Sequence, residues 1–508
     1  MRVEPDPPLA AGKAAIAPKR RTRGAISDFG PIAFVLGIVL SVLALAMIPS
    51  ILVDLVAGRP DWEAFLFSAG ATGFFGVTLL LMHRRAPSRP LSAREAFLMI
   101  TLVWTVTAVV AAVPLAFSEF GLSAADAFFE AMSGLTTTGS TVLVGLDMAP
   151  PGLLLWRALL QWLGGIGIIV MGIAILPVLS VGGMQLFRIE RSDLSEKVLP
   201  RAAQVASAIG GVYLGLTVIC AVLYWSAGMT AFEAAAHAMT TIATGGYSTS
   251  DASIGGFGNP AIEWTAILFM ILGGIPFGLY VQALRGHPMA LAADVQVRWF
   301  LGILLGGALL LAAWVLLDGR MEGAGALRHA LFTTVSVVTG TGYASTDYGQ
   351  WGPFAVALLF FLMCVGGCTG STTGGIKVFR FTVLYAVARV QMQRLLQPSG
   401  VFRALYNDRP ISDAAAISVL AFIFVFALSF AVLATLLSLL GLDYLTAMSA
   451  SLTALANVGP GLGEIVGPAG NFASLPDSAK WLLAFGMLLG RLELFTVLVL
   501  FTPAFWRA

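Results

Sequence analysis

Four stretches of the chain combine Thr with Gly in a pattern suited to holding a bare cation. They are Leu135-Thr136-Thr137-Thr138-Gly139-Ser140, Ile242-Ala243-Thr244-Gly245-Gly246, Thr339-Gly340-Thr341-Gly342-Tyr343 and Asn457-Val458-Gly459-Pro460-Gly461. Each contains a β-branched residue followed by glycine: Thr138-Gly139, Thr244-Gly245, Thr341-Gly342 and Val458-Gly459. These glycines are 106, 97 and 117 residues apart. A desolvated alkali cation needs several oxygen ligands, and backbone carbonyls supply them without bringing a full charge. Aiming successive carbonyls at one axis requires a backbone conformation that glycine adopts and most residues do not. The candidate ligand-bearing residues are therefore Thr137, Thr138, Gly139, Ala243, Thr244, Gly245, Gly340, Thr341, Gly342, Asn457, Val458 and Gly459. Hydroxyls such as those of Thr138 and Thr341 can add ligands or brace neighbouring loops. One Thr-Gly pair alone would be an ordinary small-residue contact between membrane helices. Four at similar spacing argue for a shared site.

Each stretch follows a short apolar segment: Ala127–Leu135, Phe232–Ile242, Ala330–Val338 and Tyr444–Leu455. A bilayer span takes about 20 residues, so these segments are too short to cross and read as core helices or re-entrant segments. Irregular backbone at membrane depth survives only when buried in protein or lining a watery cavity. A short helix also aims its partly negative C-terminal end at whatever the loop holds. Longer apolar runs flank them, near Pro31–Val53, Ala64–Met82, Ala96–Ser118, Ala158–Leu179, Ser207–Ala227, Trp264–Leu284, Trp299–Leu317, Pro353–Val365 with a continuation, Ala414–Leu440 and Trp481–Phe505. The sequence thus predicts an all-α polytopic membrane protein with four span–pore-helix–span repeats around one pseudo-four-fold pore, behind two leading transmembrane helices. The expected boundaries are a tail at 1–30, leading helices at 31–95, and repeats at 96–187, 202–285, 298–395 and 412–508.

Composition agrees. Of 508 residues, 58% are hydrophobic and 11% charged, with mean hydropathy +0.89, too apolar for a water-soluble chain. Cys220, Cys364 and Cys368 sit in or beside apolar runs and read as packing residues. If the N-terminus is inside and the short segments dip in from outside, 23 of the 29 basic residues fall on inside segments. That is the positive-inside bias, and it places both termini in the cytoplasm. No HExxH motif and no Ser/His/Asp set is apparent, which sets aside a membrane enzyme.

Two further features bear on how a pore would open. The second span of the third repeat is interrupted by Gly366-Gly367-Cys368-Thr369-Gly370-Ser371-Thr372-Thr373-Gly374-Gly375, which will not hold a rigid helix. Broken helices in transporters line or block a path. The run lacks phosphate-loop spacing, so no nucleotide site is expected in this chain. Gly366, Gly367, Gly370, Gly374 and Gly375 are the gate candidates. Arg491 and Glu493 lie mid-span in the last helix, where charge is costly and usually functional. If it faces the pore, Arg491 could repel cations or latch the loop; the alternative is a structural pair with Glu493 or another acid. His237 reads as a satisfied buried histidine. Glu130, Glu233, Asp251 and Asp347 are candidates for an acidic outer mouth, the two aspartates above all.

Together, Thr136-Thr137-Thr138-Gly139-Ser140, Ala243-Thr244-Gly245-Gly246-Tyr247-Ser248-Thr249, Gly342-Tyr343-Ala344-Ser345-Thr346-Asp347, Asn457-Val458-Gly459-Pro460-Gly461-Leu462-Gly463 and Gly490-Arg491-Leu492-Glu493-Leu494-Phe495-Thr496 resemble the Trk/Ktr/HKT superfamily of cation transporters, and its Trk branch above all. The resemblance spans about residues 30 to 508. It implies K⁺ bound in a filter around Gly139, Gly245, Gly342 and Gly459, and a gating intramembrane loop over the broken span with Arg491 beside it. It also implies a homodimer in the bacterial cytoplasmic membrane and a cytosolic nucleotide-binding regulatory subunit of the TrkA type. The basic stretch from Lys377 to Arg409 is the largest inside surface such a subunit could use. Val458 and Pro460 depart from the Thr-Gly pattern, so selectivity looser than that of tetrameric potassium channels is expected. A symporter moving K⁺ with H⁺ or Na⁺ is the alternative; Glu493 is the one deep acid the sequence offers it.

Overall fold

The computed structural model describes residues 29–85, 92–174, 202–321 and 323–507. Its regular structure there is almost wholly helical, with one hairpin of two-residue strands, β1 (Leu405–Tyr406) and β2 (Arg409–Pro410). Helices α1 (Gly30–Ala57) and α2 (Trp62–Met82) form a leading hairpin. Their backbones touch where both are glycine: a Cβ on Gly37 would stand 2.9 Å from the Gly76 carbonyl oxygen. Small residues permit such contact in lipid, where packing rather than water expulsion drives association.

The next elements repeat one motif. The chain runs α3 (Ala93–Ala116), short α4 (Ala124–Leu135) and α5 (Pro151–Ala174), then α6 (Ala202–Ser226) and short α7 (Ala231–Ile242). A bent pair follows, α8 (Pro260–Gly273) and α9 (Phe277–Leu284). Then come α10 (Val295–Leu317), α11 (Gly323–Thr339), α12 (Pro353–Met363) and α13 (Val378–Leu396). Then come α14 (Asp413–Leu439), α15 (Tyr444–Ala456), α16 (Asp477–Arg491) and the single turn α17 (Phe495–Leu498), followed by a last helical turn at Pro503–Arg507.

Short helices start where a side chain can satisfy their orphan amides. Ser123 accepts from the Asp126 amide, Thr230 forms a capping box with Glu233, and Asp443 accepts from the Thr446 amide. Among the described residues, seven helices are long and apolar enough to cross a bilayer, α3, α10 and α14 among them. Their outward faces carry apolar side chains such as Phe67, Leu214, Leu305 and Phe424, as lipid-facing helices do.

Two expected spans prove discontinuous. The run read as Trp264–Leu284 bends by 91° between α8 and α9, and the run read as Trp481–Phe505 bends by 108° after Arg491. Pro276 explains the first break, since it cannot continue a helix whose Gly274 ends the preceding turn. At the second, Glu493 and Leu494 adopt φ of 63° and 42°, which no helix tolerates. With the expected interruption between α12 and α13, three spans that follow a Thr/Gly loop break shortly after it.

Candidate functional site

The four loops share one backbone trace. Each reaches back to its short helix by the same bond: Thr138 N–H to Ser133 O, Gly245 to Thr240, Thr341 to Ser336 and Val458 to Thr453, at 2.8 to 3.1 Å. The residue before each of these is left-handed: Thr137 (φ 52°), Thr244 (50°), Gly340 (70°) and Asn457 (55°). The residue after each is a left-handed glycine: Gly139 (89°), Gly246 (78°), Gly342 (78°) and Gly459 (105°). Residues of alternating hand turn successive carbonyls to one side, as a carbonyl-lined site demands.

This register corrects the sequence alignment in one place. In the second loop the glycine equivalent to Gly139, Gly342 and Gly459 is Gly246, and Gly245 stands level with Thr138, Thr341 and Val458. Two consecutive glycines made the dipeptide rule settle on the first.

The loops close on one another in order. A Cβ on Gly139 would run into the Gly245 carbonyl oxygen, and one on Gly246 into the Thr341 oxygen. One on Gly342 would meet the Val458 oxygen, and one on Gly459 would stand 2.7 Å from the Thr138 oxygen. First touches second, second third, third fourth, and fourth first. Cross-links tighten the circuit: Ser140 Oγ donates to Gly459 O at 2.8 Å, and Asn457 Nδ2 to Thr138 Oγ1 at 2.9 Å. Thr136 with Thr138, and Thr339 with Thr341, form the same hydroxyl pair at 2.8 Å in loops one and three. Ala243 is buried at the end of α7, and its carbonyl accepts from Thr244 Oγ1 at 2.8 Å.

A cavity of about 80 Å³ sits on one side of this ring, lined by residues from all four loops including Gly139, Gly246, Gly342 and Pro460. Asp251 lines it too, while its carboxylate accepts from the Gly145 and Leu146 amides at 3.0 to 3.1 Å. The other candidate acids are committed elsewhere. Glu130 is fully buried, pairs with Arg157 at 2.8 Å and accepts from Thr141 and the Val142 amide. Arg157 in turn donates to Ser248 O and lies over the Tyr247 ring. Glu233 closes its helix's capping box, and Asp347 accepts from the Gly349 amide and Gln350. His237 bonds Glu233 O and Ser248 Oγ.

On the opposite side lies the interrupted span. Its backbone is tied to the α8–α9 break through Cys368 N–H to Gly274 O and Phe277 N–H to Gly370 O, both 3.0 Å. It folds back on itself through Val378 N–H to Gly367 O. Gly366, Gly370 and Gly375 are left-handed, at φ 73°, 85° and 75°. Gly374 abuts the Ala456 carbonyl at the end of α15, and Gly367 accepts no Cβ because Thr373 fills that space. Thr372 reaches up to Ile242 O at 3.0 Å and lies 3.1 Å from Thr244 Oγ1, joining this segment to the second loop. Arg491 Nη1 donates to Thr372 O at 3.0 Å. Arg491 is therefore against the interrupted span. Glu493, the alternative partner for Arg491, pairs instead with Arg380 of α13, whose guanidinium also stacks 3.5 Å over the Phe422 ring. The cavity between this segment, Lys377, Arg491 and Glu493 holds about 20 Å³, room for roughly one water. Lys377 is thus an interior residue rather than part of an exposed basic surface.

Sequence reasoning missed Gln161, Arg157 and Arg380, which carry the bracing of the ring and of the interrupted span. A polar or charged residue inside an apolar run, facing the bundle, was the available signal. The inside segment 188–201 lies outside the described residues. Among the described residues, no cluster of His, Cys, Asp and Glu could hold a metal ion.

Comparison with known proteins gives one consistent result. The sequence model of the TrkH family, described as a cation transport protein, matches residues 65–508. The chain is 48% identical over 493 residues to the Trk system potassium uptake protein TrkI of Halomonas elongata, covering 97% of this chain and all of that one. It is 39% identical to the Trk system potassium uptake protein TrkH of Escherichia coli, over 91% of this chain and 99% of that one. Among solved structures, the crystal structure of the potassium transporter TrkH from Vibrio parahaemolyticus superposes with TM-score 0.87 at 37% identity, covering 94% of this chain and all of that one.

Proposed function

Because the chain belongs to the TrkH family of cation transport proteins, we propose that it takes up K⁺ through a channel-like pore across the bacterial cytoplasmic membrane. The ring of four loops is the observation that carries this reading. Its carbonyls around Gly139, Gly246, Gly342 and Gly459, with those of Thr137, Thr138, Ala243, Thr244, Gly245, Gly340, Thr341, Asn457 and Val458, form the selectivity filter and exchange for the ion's water shell. Asp251 raises the local cation concentration at the outer cavity. The interrupted span at Gly366–Gly375 is the gate. The 20 Å³ cavity beneath the ring is too small for a hydrated ion, and Arg491 both latches Thr372 and opposes a cation there.

Glu493 is engaged by Arg380, which favours the uncoupled pore over a symporter that would use Glu493 for a second ion. Opening then depends on partners. A second copy of the chain and a cytosolic nucleotide-binding subunit are the proposed ones, the latter docking on α13 and the β1–β2 hairpin, where Val387, Arg394, Phe402 and Arg403 line an open groove of about 350 Å³. The test is ⁸⁶Rb⁺ flux into liposomes containing the purified protein, competed with K⁺ or Na⁺. The reading requires K⁺ to compete well and Na⁺ poorly; equal competition overturns it. A flux that follows an imposed pH gradient at fixed K⁺ would favour coupling.

A further inference from the structure

The second loop of the ring lacks both of the internal braces that its counterparts have. In loops one and three, the short-helix serine crosses to the carbonyl seven residues on: Ser133 to Ser140 O and Ser336 to Tyr343 O, each 2.7 Å. In loop four, Thr453 reaches Gly459 O at 3.1 Å. The equivalent residue in unit two is Thr240, and its hydroxyl goes to its own helix and to the Tyr343 hydroxyl. Loop two also lacks the side chain at the position before the ring glycine. Thr138, Thr341 and Val458 fill that position elsewhere, whereas unit two has Gly245.

Gly245 does not owe its identity to backbone shape, since it is absent from the left-handed residues. It owes it to space. A Cβ there would stand 2.5 Å from Oε1 and 2.8 Å from Nε2 of Gln161. Gln161 comes from α5 of the neighbouring unit and is fully buried. Its Nε2 donates to Gly245 O at 2.6 Å, and its Oε1 accepts from the Tyr247 amide at 3.0 Å. One carboxamide therefore spans the ring glycine Gly246, fixing the residue on either side of it. Arg157, one helical turn earlier on α5, holds the same loop through Ser248 O.

We propose that Gln161 is a specificity-determining positioning residue: a side chain lent by one pore unit to the next, which sets the geometry of the Gly245 carbonyl and hence the discrimination between K⁺ and smaller cations. This rests on the ring being the selectivity filter. The amide does two jobs that other loops do for themselves. It occupies the volume of the missing Thr or Val, and it replaces the missing hydroxyl brace. Freed of it, the Gly-Gly pair at 245 and 246 is the most pliant segment of the ring. A pliant ring closes around Na⁺ as readily as it opens around K⁺, so selectivity falls while ions still pass.

The experiment compares Rb⁺ and Na⁺ fluxes into liposomes for wild type, Gln161→Ala, Gln161→Met, Gly245→Thr and the double variant Gln161→Ala with Gly245→Thr. Gln161→Met keeps most of the volume without the hydrogen bonds, so it reads the brace if the alanine variant fails to insert. Losing a bridging pair of hydrogen bonds predicts a fall in the Rb⁺/Na⁺ ratio of about tenfold for either Gln161 variant. Gly245→Thr alone is crowded by Gln161 and loses flux. The double variant restores the side chain in place and recovers much of the ratio. A wild-type ratio in Gln161→Ala or Gln161→Met, or a double variant no more selective than the worse single, overturns the proposal. A wild type with no preference for Rb⁺ would instead overturn the filter assignment, a separate failure.

Discussion

Replacing Arg491 by alanine should open the pathway without any partner, and the size of the effect can be worked out. Arg491 contributes one charge-assisted hydrogen bond to Thr372 O at 3.0 Å, from a site where water is scarce. Bonds of this kind to a charged donor are worth about 1.5–3 kcal/mol. Thr372 keeps its own bonds to Ile242 O and the α8–α9 break, so the segment stays structured when the latch goes. The closed-to-open ratio should then shift by about ten- to a hundredfold, since each 1.4 kcal/mol is a factor of ten. Removing a fixed positive charge from the path adds to the same direction of change. The assay is ⁸⁶Rb⁺ uptake into liposomes at equal protein density, without nucleotide or any second protein. Arg491→Lys separates the two contributions, because it keeps the charge but loses the planar donor. It should sit between wild type and alanine. Flux in Arg491→Ala within twofold of wild type, with normal reconstitution, would refute the latch.

Four other outcomes follow from named contacts. Gly246→Ala should abolish or strongly reduce flux, because its methyl meets the Thr341 carbonyl in a left-handed conformation; a functional Gly246→Ala pore would show that the second loop is aligned wrongly here. Arg380→Ala should destabilise the protein by about 3–5 kcal/mol by stranding Glu493, seen as a lowered melting temperature in detergent, with Arg380→Ala/Glu493→Ala recovering part of the loss. Asp443→Ala should cost about 1 kcal/mol of stability as the cap of α15 is lost. Hydrogen bonds from Thr446 hold the Asp443 carboxyl below its ordinary value of 3.8, so this contribution is complete at neutral pH and fades only as pH falls below that value. Asp251→Asn should slow uptake at low ionic strength and converge on wild type in high salt, as a steering charge does.

Much of this arrangement was legible in the chain because membrane insertion imposes a strict length rule. Segments such as Phe232–Ile242 are too short to span, and the structure makes that one a short, separate helix. Left-handed backbone is similarly visible, since glycine advertises it at 139, 342 and 459. Where the reading failed, a non-glycine residue took up the strained conformation or two glycines competed for it. Thr137, Thr244 and Asn457 are all left-handed, and no rule based on glycine would find them. The partner of Glu493 was equally hidden: Arg491 is two residues away, but the 108° bend after it turns the carboxylate toward Arg380 of another helix. Sequence proximity within a supposed helix supports the alternative Arg491–Glu493 pair only if the helix continues, and it ends there.

The unequal loops carry a physical consequence that an equal ring would not. Four identical units can share one bracing scheme, and any change in one is matched by the others. Here loops one and three brace themselves with serine, loop four with threonine, and loop two borrows Gln161 from its neighbour. Loop two is also hydrogen-bonded downward, through Thr244 and Thr372, to the segment that Arg491 latches. The chain of contacts from Arg491 to Thr372, Thr244, Gly245 and Gln161 therefore runs through the least self-sufficient quarter of the ring. That chain gives motion of the interrupted span a hydrogen-bonded route to the ring, so opening should disturb ion preference through loop two. Selectivity measured in Arg491→Ala should accordingly be lower than in wild type, and more so when Gln161 is also replaced. If the two changes act independently on the Rb⁺/Na⁺ ratio, the span and the ring are not coupled along this route.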